Sequence, residues 1–387
     1  MDKNQLSEKF FEKYGDRKNQ PALYFSPGRV NLIGEHTDYN GGFVFPCALN
    51  YGTYLVIRKT PGKILKFSTL NFNEDSEIEI KGLFVKKSEK WINYPLGVIN
   101  EFLKEGVEIS GMDFLYFGDV PNGAGLSSSA SIEMVTAVAI NEFFNVGFDR
   151  LKLVKMSQRA ENQFVGMNCG IMDQFSVGFG KKEHAIFLNC DDLSYEQIPI
   201  ILNDCNLIIT NTNKRRGLTD SKYNERRAEC DKAVELLQAY KPIRNLSQLT
   251  PDEIPLLEKY IKDPVVRKRA KHVISENGRV TEAVKVLKEN NIIRFGELMN
   301  QSHDSLKDDY EVTGMELDTL VYEGRKLPGV IGIRMTGAGF GGCTVSIVKK
   351  KDKENFIDKL SGAYQKITGL VADFYLPEIG DGAGRIM

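Results

Sequence analysis

The sequence predicts an α+β fold of two domains. Its 387 residues suffice for two domains of ordinary size. Short runs rich in aromatic and β-branched residues alternate with helical segments, but no strand–helix unit repeats, which favours α+β over a doubly wound parallel sheet. From about residue 218 the chain becomes predominantly helical. This change predicts a boundary near residues 190–205, with an N-terminal domain over 1–195 and a C-terminal domain over 196–387.

The first element is a helix, and a strand meander follows it. The opening segment MDKNQLSEKFFEKYGDRKNQ is charged throughout, so it predicts an amphipathic helix with Leu6, Phe10 and Phe11 facing inward, and not a signal peptide. Aromatic and β-branched runs bounded by Gly, Asn and Pro then predict strands. These strands are expected at 22–25, 43–46, 53–59, 64–70 and 77–80.

Buried helices are expected in the middle of the chain. The segment 91–105 has a helical pattern that ends at Gly106. Residues 131–144 are apolar nearly all round, which is typical of a buried helix. The remaining elements predicted here are a helix at 151–164 and strands at 112–118, 185–189 and 207–211.

The last part of the chain predicts a helical region followed by a small mixed unit. Helices are expected at 218–240, 262–276, 278–289, 294–306 and 314–323. Strands at 331–335 and 343–348 follow, then an amphipathic helix at 352–368 and a final strand at 371–376.

Composition excludes several classes of protein. Lys and Arg number 51 and Asp and Glu 52, for a net charge of -1, which argues against a nucleic-acid partner. No apolar run approaches the roughly 20 residues of a membrane helix. The six cysteines are scattered without a CxxC pair, which is typical of reduced thiols in the cytoplasm. We therefore expect a cytoplasmic protein, with a monomer favoured.

The first chemically distinctive segment is SPGRVNLIGEHTDYNGG, residues 26–42. It holds Arg29, Glu35, His36, Asp38 and Tyr39, which cannot all face a core because isolated buried charges are costly. A solvated loop is one interpretation. The other is a site for a ligand with many hydroxyl groups, since the interleaved glycines permit close backbone approach.

The second segment, VPNGAGLSSSAS at 120–131, is a Gly-rich turn that leads into the predicted buried helix. Such a turn presents unpaired amides and the positive end of the helix dipole to an anion, most often a phosphate. It lacks the lysine of a Walker A loop, and Ser128 stands at the third glycine position of GxGxxG. A simple serine-rich helix cap is the structural alternative.

Two further segments carry carboxylates and glycines. Glu161 lies on a predicted helix and Asp173 follows a Gly-rich loop, so one could hold a metal while the other acts as a base. A surface glutamate and a turn aspartate are the alternative. Residues 337–342, GAGFGG, interrupt two apolar strands, which indicates either a sharp turn or close approach of a ligand.

Taken together, these segments resemble the galactokinase family, within the superfamily of homoserine, mevalonate and phosphomevalonate kinases. The similar segments, in chain order, are GRVNLIGEHTDYNGG, GAGLSSSAS, ENQFVGMNCGIMDQF, SKYNERRAEC and GAGFGGC. The resemblance extends from about residue 22 to the C-terminal GDGAGRIM. It implies ATP-dependent phosphorylation of the anomeric hydroxyl of galactose, with ATP as co-substrate and Mg²⁺ as cofactor.

The resemblance also implies roles for individual residues. Asp173 matches the catalytic acidic residue, and Arg29 the arginine beside it. The matching galactose ligands are Arg29, Glu35, His36, Thr37, Asp38, Gly170, Asp173 and Tyr223. The matching nucleotide-binding residues are Ser68, Gly123, Ala124, Gly125, Leu126, Ser127, Ser128 and Ser129. Ser129 and Glu161 match the Mg²⁺ ligands.

The fold implied by the resemblance has two parts. The N-terminal domain is expected to be similar to ribosomal protein S5 and the C-terminal domain to a ferredoxin-like sandwich, with the active site in the cleft between them. Two alternatives stay open: a kinase of the same superfamily for N-acetylgalactosamine or another sugar, and a regulator that senses galactose and ATP without turnover. The complete Ser129-Ala130-Ser131 sequence favours the enzyme over the regulator.

Overall fold

The computed structural model describes residues 1–15, 19–88, 91–120, 125–214 and 219–387. The strands are β1 (Ala22–Asn31), β2 (Phe43–Val44), β3 (Pro46–Thr60), β4 (Ile64–Thr69), β5 (Ser76–Glu79), β6 (Gly111–Gly118), β7 (His184–Asn189), β8 (Tyr195–Pro199), β9 (Cys205–Asn211), β10 (Val330–Thr336), β11 (Cys343–Lys349), β12 (Asp373–Tyr375) and β13 (Gly384–Arg385). The helices are α1 (Lys3–Tyr14), α2 (Asn93–Lys104), α3 (Ser128–Phe143), α4 (Arg150–Arg159), α5 (Met172–Phe179), α6 (Thr219–Leu237), α7 (Leu257–Tyr260), α8 (Pro264–Lys288), α9 (Ile292–Asp308), α10 (Met315–Arg325) and α11 (Lys353–Thr368).

The first half of the chain builds a sheet with the strand order β13-β1-β3-β6-β4-β5, in which only the β4–β6 pair is parallel among the described strands. Successive strand residues point to opposite faces. Tyr24 therefore packs into the core beneath α2, α3, α4 and α5, whereas Leu23 faces α1 on the other side. Leu6 and Phe10 of α1 are buried there, which confirms their predicted inward orientation.

A second, antiparallel sheet with the order β10-β11-β9-β12 forms the frame of the other half. Its central strand β9 alternates in the same way. Leu207 and Ile209 face the cluster that holds α8 and α9, and Ile208 faces the cluster of α10 and α11. The predicted mixture of helices and largely antiparallel sheets is confirmed.

Several predicted elements differ from the structure. The expected helices at 262–276 and 278–289 are one continuous helix, α8, which runs through Gly278 without a break. A Cβ at Gly278 would come within 2.9 Å of Pro251 Cγ, so packing, and not helix termination, explains this glycine. The sequence reasoning also missed α5, which begins at Met172 in the stretch interpreted as a loop.

Two strands from the far side of the expected boundary at residue 195 pair with strands of the first half. Strand β8 begins at that boundary and pairs with β7, while β13 returns from the end of the chain to pair with β1. Both join strands of the first half because the hydrogen-bonding edges of β7 and β1 are available there. Within the described residues, none of the helices combines the length and the apolar character needed to cross a bilayer.

Candidate active site

A cavity of about 420 Å³ lies where β1, α3 and α5 meet α6 and the glycine-rich turn after β10. It is lined by residues from all the chemically distinctive segments. These residues are Arg29, Glu35, His36, Asp38, Tyr39, Gly125, Leu126, Ser127, Ser128, Ser129, Glu161, Gly166, Met167, Asn168, Cys169, Gly170, Met172, Asp173, Tyr223, Asn224, Gly337 and Ala338.

Asp173 is anchored through both carboxylate oxygens. Its Oδ1 lies 2.9 Å from Arg29 Nε and 2.8 Å from Arg29 Nη2, while its Oδ2 accepts a hydrogen bond of 2.6 Å from the Ser127 hydroxyl. The Nη1 group of Arg29 donates to the Gly125 carbonyl oxygen at 2.7 Å. Arg29 therefore links the acidic residue of the third segment to the glycine-rich turn of the second.

The second segment lies at the N-terminus of α3. Ser127 precedes the helix in a left-handed conformation with φ of 59°, which turns the chain sharply into Ser128. The free amides at the start of this long helix face the cavity, where they can bind an anion. The predicted nucleotide-binding residues Gly123 and Ala124 lie outside the described residues.

Glu161 lies beside this turn, near the start of the short helical segment Ala160–Val165 that follows α4. Burial and the neighbouring Asp173 raise the pKa of the Glu161 carboxyl, whereas a hydrogen bond with Ser129 lowers it. Gln174 Nε2 contacts Glu161 Oε2 at 2.5 Å and Glu133 Oε2 at 3.0 Å. Glu133 is fully buried, and its Oε1 has no hydrogen-bond partner among the described residues.

These carboxylates have the chemistry of a site for a hard divalent cation. Glu161 and Ser129 supply the oxygen ligands that Mg²⁺ prefers. Burial and the neighbouring Glu161 and Asp173 hold the pKa of Glu133 well above its ordinary value. Among the described residues there is no group of three or more His, Cys, Asp or Glu side chains that could hold a metal. A cation here would therefore need further oxygen ligands from a phosphate or from water.

Glu35 connects the first segment to the glycine-rich turn. Its Oε1 accepts hydrogen bonds from Thr336 Oγ1 at 3.0 Å and from the Gly337 amide at 2.5 Å. Burial raises the pKa of Glu35, and the nearby Arg334 opposes this shift. The turn itself needs glycine, because Gly337 and Gly339 have φ values of 83° and 81°. Residues 337–342 are thus both a sharp turn and part of the cavity wall.

His36 and Asp38 of the first segment also line the cavity. His36 contacts the Tyr39 hydroxyl through Nδ1 at 2.8 Å and the Ala338 carbonyl through Nε2 at 3.2 Å. Burial, together with the charges of Asp173 and Glu35, raises the pKa of Asp38 to about 7.

Gly170 is closely packed against Asp38. A Cβ at this position would come within 1.9 Å of Asp38 Oδ2, so any side chain would displace the carboxylate. Tyr223 on α6 also faces the cavity, and its ring lies 5.2 Å from the ring of Tyr39.

Two predicted ligands lie away from the cavity. Thr37 is fully buried, and its hydroxyl is 2.9 Å from the Gly34 carbonyl and 2.7 Å from the Phe43 carbonyl, which stabilises the turn. Ser68 lies on β4, where its hydroxyl accepts a hydrogen bond of 2.8 Å from the Tyr14 hydroxyl.

The sequence reasoning missed the buried polar residues behind the cavity, among them Glu133 and Gln174. One signal was available for Glu133, since it is the only charged residue in the otherwise apolar stretch 131–140. Gln174 gave no such signal, because its two carboxylate partners are far from it in sequence.

Comparison with known families first defines the class. The GHMP kinase N-terminal domain matches residues 93–181 and the GHMP kinase C-terminal domain matches residues 283–366. A mevalonate kinase structure from Methanococcus jannaschii superposes with a TM-score of 0.68 over 95% of this chain and all of that chain, at 19% identity, which shows a shared fold. The fold and the site thus define a small-molecule kinase of the GHMP type.

More similar relatives define the family. The galactokinase galactose-binding signature matches residues 8–59. Galactokinase from Fusobacterium nucleatum is 53% identical over 98% of both chains, and that from Bacillus subtilis is 48% identical over 99% of both. The structure of Lactococcus lactis galactokinase complexed with galactose has a TM-score of 0.96 at 44% identity, covering 99% of each chain. The chain belongs to the galactokinase family.

Proposed function

We infer that the protein transfers the γ-phosphoryl group of ATP to the C1 hydroxyl of galactose. The observation that carries this inference is the Asp173–Arg29–Ser127 cluster, which lies in one cavity with the N-terminus of α3. Phosphoryl transfer requires mainly alignment of the reactants and stabilisation of charge, and this arrangement can provide both. The similarity to galactokinases extends over nearly the full length of the chain, and it supports galactose as the sugar.

We propose that the cavity is the cleft between two domains. In this proposal residues 1–195 form an N-terminal domain similar to ribosomal protein S5, and residues 196–387 form a ferredoxin-like C-terminal domain. Strands β8 and β13 are exceptions, since both pair with strands of the first domain. Support comes from the lining of the cavity, to which α6 and the turn at 337–342 contribute opposite Arg29 and Asp173.

The turn before α3 is the proposed phosphate-binding site for ATP. The amides and the dipole at the N-terminus of α3 favour negative charge without a Walker lysine. Glu161 and Ser129 would hold Mg²⁺, which neutralises charge on the phosphate oxygens when bound. Ser68, Gly123 and Ala124 are proposed nucleotide contacts from the family resemblance.

In the proposed mechanism Asp173 orients the C1 hydroxyl and accepts its proton as the phosphoryl group arrives. The guanidinium group of Arg29 and the Ser127 hydroxyl hold the carboxylate in place through three contacts of 2.6–2.9 Å. Arg29 also places positive charge close to the reacting oxygens. The proposed sugar-recognition residues are Glu35, His36, Asp38, Gly170 and Tyr223, and Thr37 is proposed to hold the turn that presents them.

The test of this function is ATP consumption across a panel of sugars. Galactose should support turnover, and phosphorus NMR should place the new phosphate on C1. Faster turnover with N-acetylgalactosamine would assign another sugar to the same site. Binding of galactose and ATP without product would instead identify a sensor.

Substituting alanine for Gly170 should weaken galactose recognition. The added Cβ must displace the Asp38 carboxylate, because only 1.9 Å separates the two positions. We expect the KM for galactose to rise by about tenfold or more, the effect of one lost charge-assisted hydrogen bond. The KM for ATP should change little.

Gly362→Ala is the matched control, since Gly362 lies on α11 with no atom within 4 Å of its added Cβ. Steady-state kinetics at varied galactose would measure both variants. A wild-type KM for galactose in Gly170→Ala would contradict a role for the Gly170–Asp38 contact.

Galactose affinity should also depend on pH through Asp38. Its pKa is raised to about 7 by burial and by the charges of Asp173 and Glu35, so the carboxyl is protonated below pH 7 and ionised above it. Sugar hydroxyls donate more strongly to the ionised form. The KM for galactose should therefore rise as the pH falls through 7.

Kinetics between about pH 5.5 and 8.5 would measure this dependence. It should vanish in Asp38→Asn and persist in Asp192→Asn, which makes the same change at an exposed turn. An unchanged pH profile in Asp38→Asn would assign the titration to another group.

We also propose a cytoplasmic location and a monomeric state, with galactose and ATP as small-molecule partners and no nucleic-acid or membrane partner. The six cysteines support the location, because none of them lies in a disulfide. Reduced thiols are typical of a reducing compartment.

A further inference from the structure

A continuous chain of hydrogen bonds leads from the helices of the second half to His36 in the cavity. Cys230 Sγ on α6 lies 3.1 Å from the Tyr310 hydroxyl, which follows α9. The Tyr310 hydroxyl lies 2.8 Å from the Tyr39 hydroxyl, and that group lies 2.8 Å from His36 Nδ1. Side chains from the first segment, from α6 and from the end of α9 thus form one series.

The surroundings of His36 determine which group donates and which accepts in each hydrogen bond of this series. His36 Nε2 faces the Ala338 carbonyl oxygen at 3.2 Å, and a carbonyl oxygen can only accept a hydrogen bond. Nε2 must therefore carry the proton. In a neutral ring Nδ1 is then an acceptor, so the Tyr39 hydroxyl donates to it.

Each earlier member is then fixed in turn. Because Tyr39 donates to His36, it accepts from Tyr310, which itself accepts from the Cys230 thiol. Burial raises the pKa of Cys230 to about 12, so the thiol keeps its proton. Burial and the nearby His272, Arg226 and Arg334 lower the pKa of His36 to about 3, against the opposing effect of the Ala338 carbonyl.

Packing holds the members in place. Tyr310 and Cys230 are fully buried. The Tyr310 ring lies 4.8 Å from the ring of His36 and 4.5 Å from that of His272, so the rings of the series cannot shift without moving a packed core.

We propose that Tyr39, Tyr310 and Cys230 are positioning residues that hold His36 as its Nε2–H tautomer, so that the ring offers the sugar an N–H donor. A sugar hydroxyl oxygen would accept this hydrogen bond in place of the Ala338 carbonyl. Since a hydroxyl can also donate, it does not fix the tautomer, and that role passes to the Tyr39 hydroxyl and the series behind it. The inference rests on the proposed galactose kinase function and extends it to residues that act through His36.

The test combines NMR of the imidazole nitrogens with kinetics. In ¹⁵N-histidine-labelled wild-type protein saturated with galactose, His36 should show a single Nε2–H tautomer, assigned by loss of its signals in His36→Gln. Tyr39→Phe should give a mixture of tautomers and raise the KM for galactose by about tenfold, equivalent to about 1.4 kcal/mol. Tyr310→Phe should shift both readouts in the same direction by a smaller amount, with the KM for ATP unchanged.

Cys230 provides a rescue by a conservative variant. Cys230→Ser keeps a hydroxyl donor and should preserve the wild-type spectrum, whereas Cys230→Ala should move it toward that of Tyr310→Phe. Tyr364→Phe is the matched control, because it removes another buried hydroxyl, bonded to the Thr212 carbonyl and outside the cavity lining. It should leave the His36 signals and the galactose KM unchanged.

A wild-type His36 tautomer with a wild-type galactose KM in Tyr39→Phe would overturn the proposal. If that variant does not fold, the same result in Tyr310→Phe overturns it. Absence of galactose-dependent ATP consumption in the wild-type protein would instead refute the proposed function. The NMR measurement needs no turnover, so the two failures are distinguishable.

Discussion

Asp173→Asn should lower kcat by about 10²–10⁴-fold, the range that loss of a positioned general base produces. An amide retains the shape of the carboxylate. Its oxygen can still accept from Arg29, and its NH2 group can donate to the Ser127 hydroxyl oxygen. It cannot accept the proton of the C1 hydroxyl as the phosphoryl group arrives. Galactose binding should therefore survive while turnover is lost.

Two measurements separate these effects. Calorimetry with galactose should give a dissociation constant within about tenfold of wild type, and steady-state ATP consumption should show the loss of kcat. Asp192→Asn makes the same chemical change at an exposed turn and should retain wild-type kinetics. Turnover of Asp173→Asn at the wild-type rate would show that Asp173 is not the catalytic carboxylate.

Arg29→Lys should lower kcat/KM by about 100-fold, although the positive charge is kept. The guanidinium group contacts Asp173 Oδ1 through two nitrogens and the Gly125 carbonyl through the third. A lysine ammonium is a compact charge without this planar arrangement, so it cannot maintain all three contacts. A displacement of Asp173 by about 1 Å is enough to reduce catalysis by about 10².

The comparison of Arg29→Lys with Arg29→Met tests this argument. If geometry dominates, both variants should lose activity to a similar extent. If charge dominates, lysine should restore most of it. Arg385→Lys is the control, because Arg385 pairs with Glu142 at an exposed position. Near wild-type kcat/KM in Arg29→Lys would contradict the positioning role.

The predicted helices and strands follow local patterns, and most of the regular elements could be predicted for that reason. Leu6 and Phe10 lie at helical spacing and are buried beneath the first sheet. The failures occurred where a long-range contact overrides a local preference. Gly278 is a poor helix former, but α8 continues through it. The glycine is needed there because a side chain would come too close to Pro251.

The residues of the candidate site also divide into those that the sequence reveals and those that only long-range contacts reveal. Arg29, Asp173 and the serine-rich turn stand out in the sequence, because charged and glycine-rich segments cannot be explained by a core. Gln174 and Tyr310 do not stand out, since each has its partners on other elements. Their roles depend on distances such as the 3.0 Å between Gln174 Nε2 and Glu133 Oε2.

The sequence by itself determined the alternation of helices and strands and the residues of the chemically distinctive segments. Through the order of those segments it also determined the resemblance to galactokinases. It could do so because hydrophobic period, turn chemistry and motif spacing are local properties of the chain. Only the tertiary structure decided that Asp173 meets Arg29, that Glu35 binds the turn at Gly337, and that Cys230, Tyr310 and Tyr39 form a series ending at His36. Hydrogen bonds require groups to approach within about 3 Å, and for residues far apart in sequence only the packed fold determines that approach.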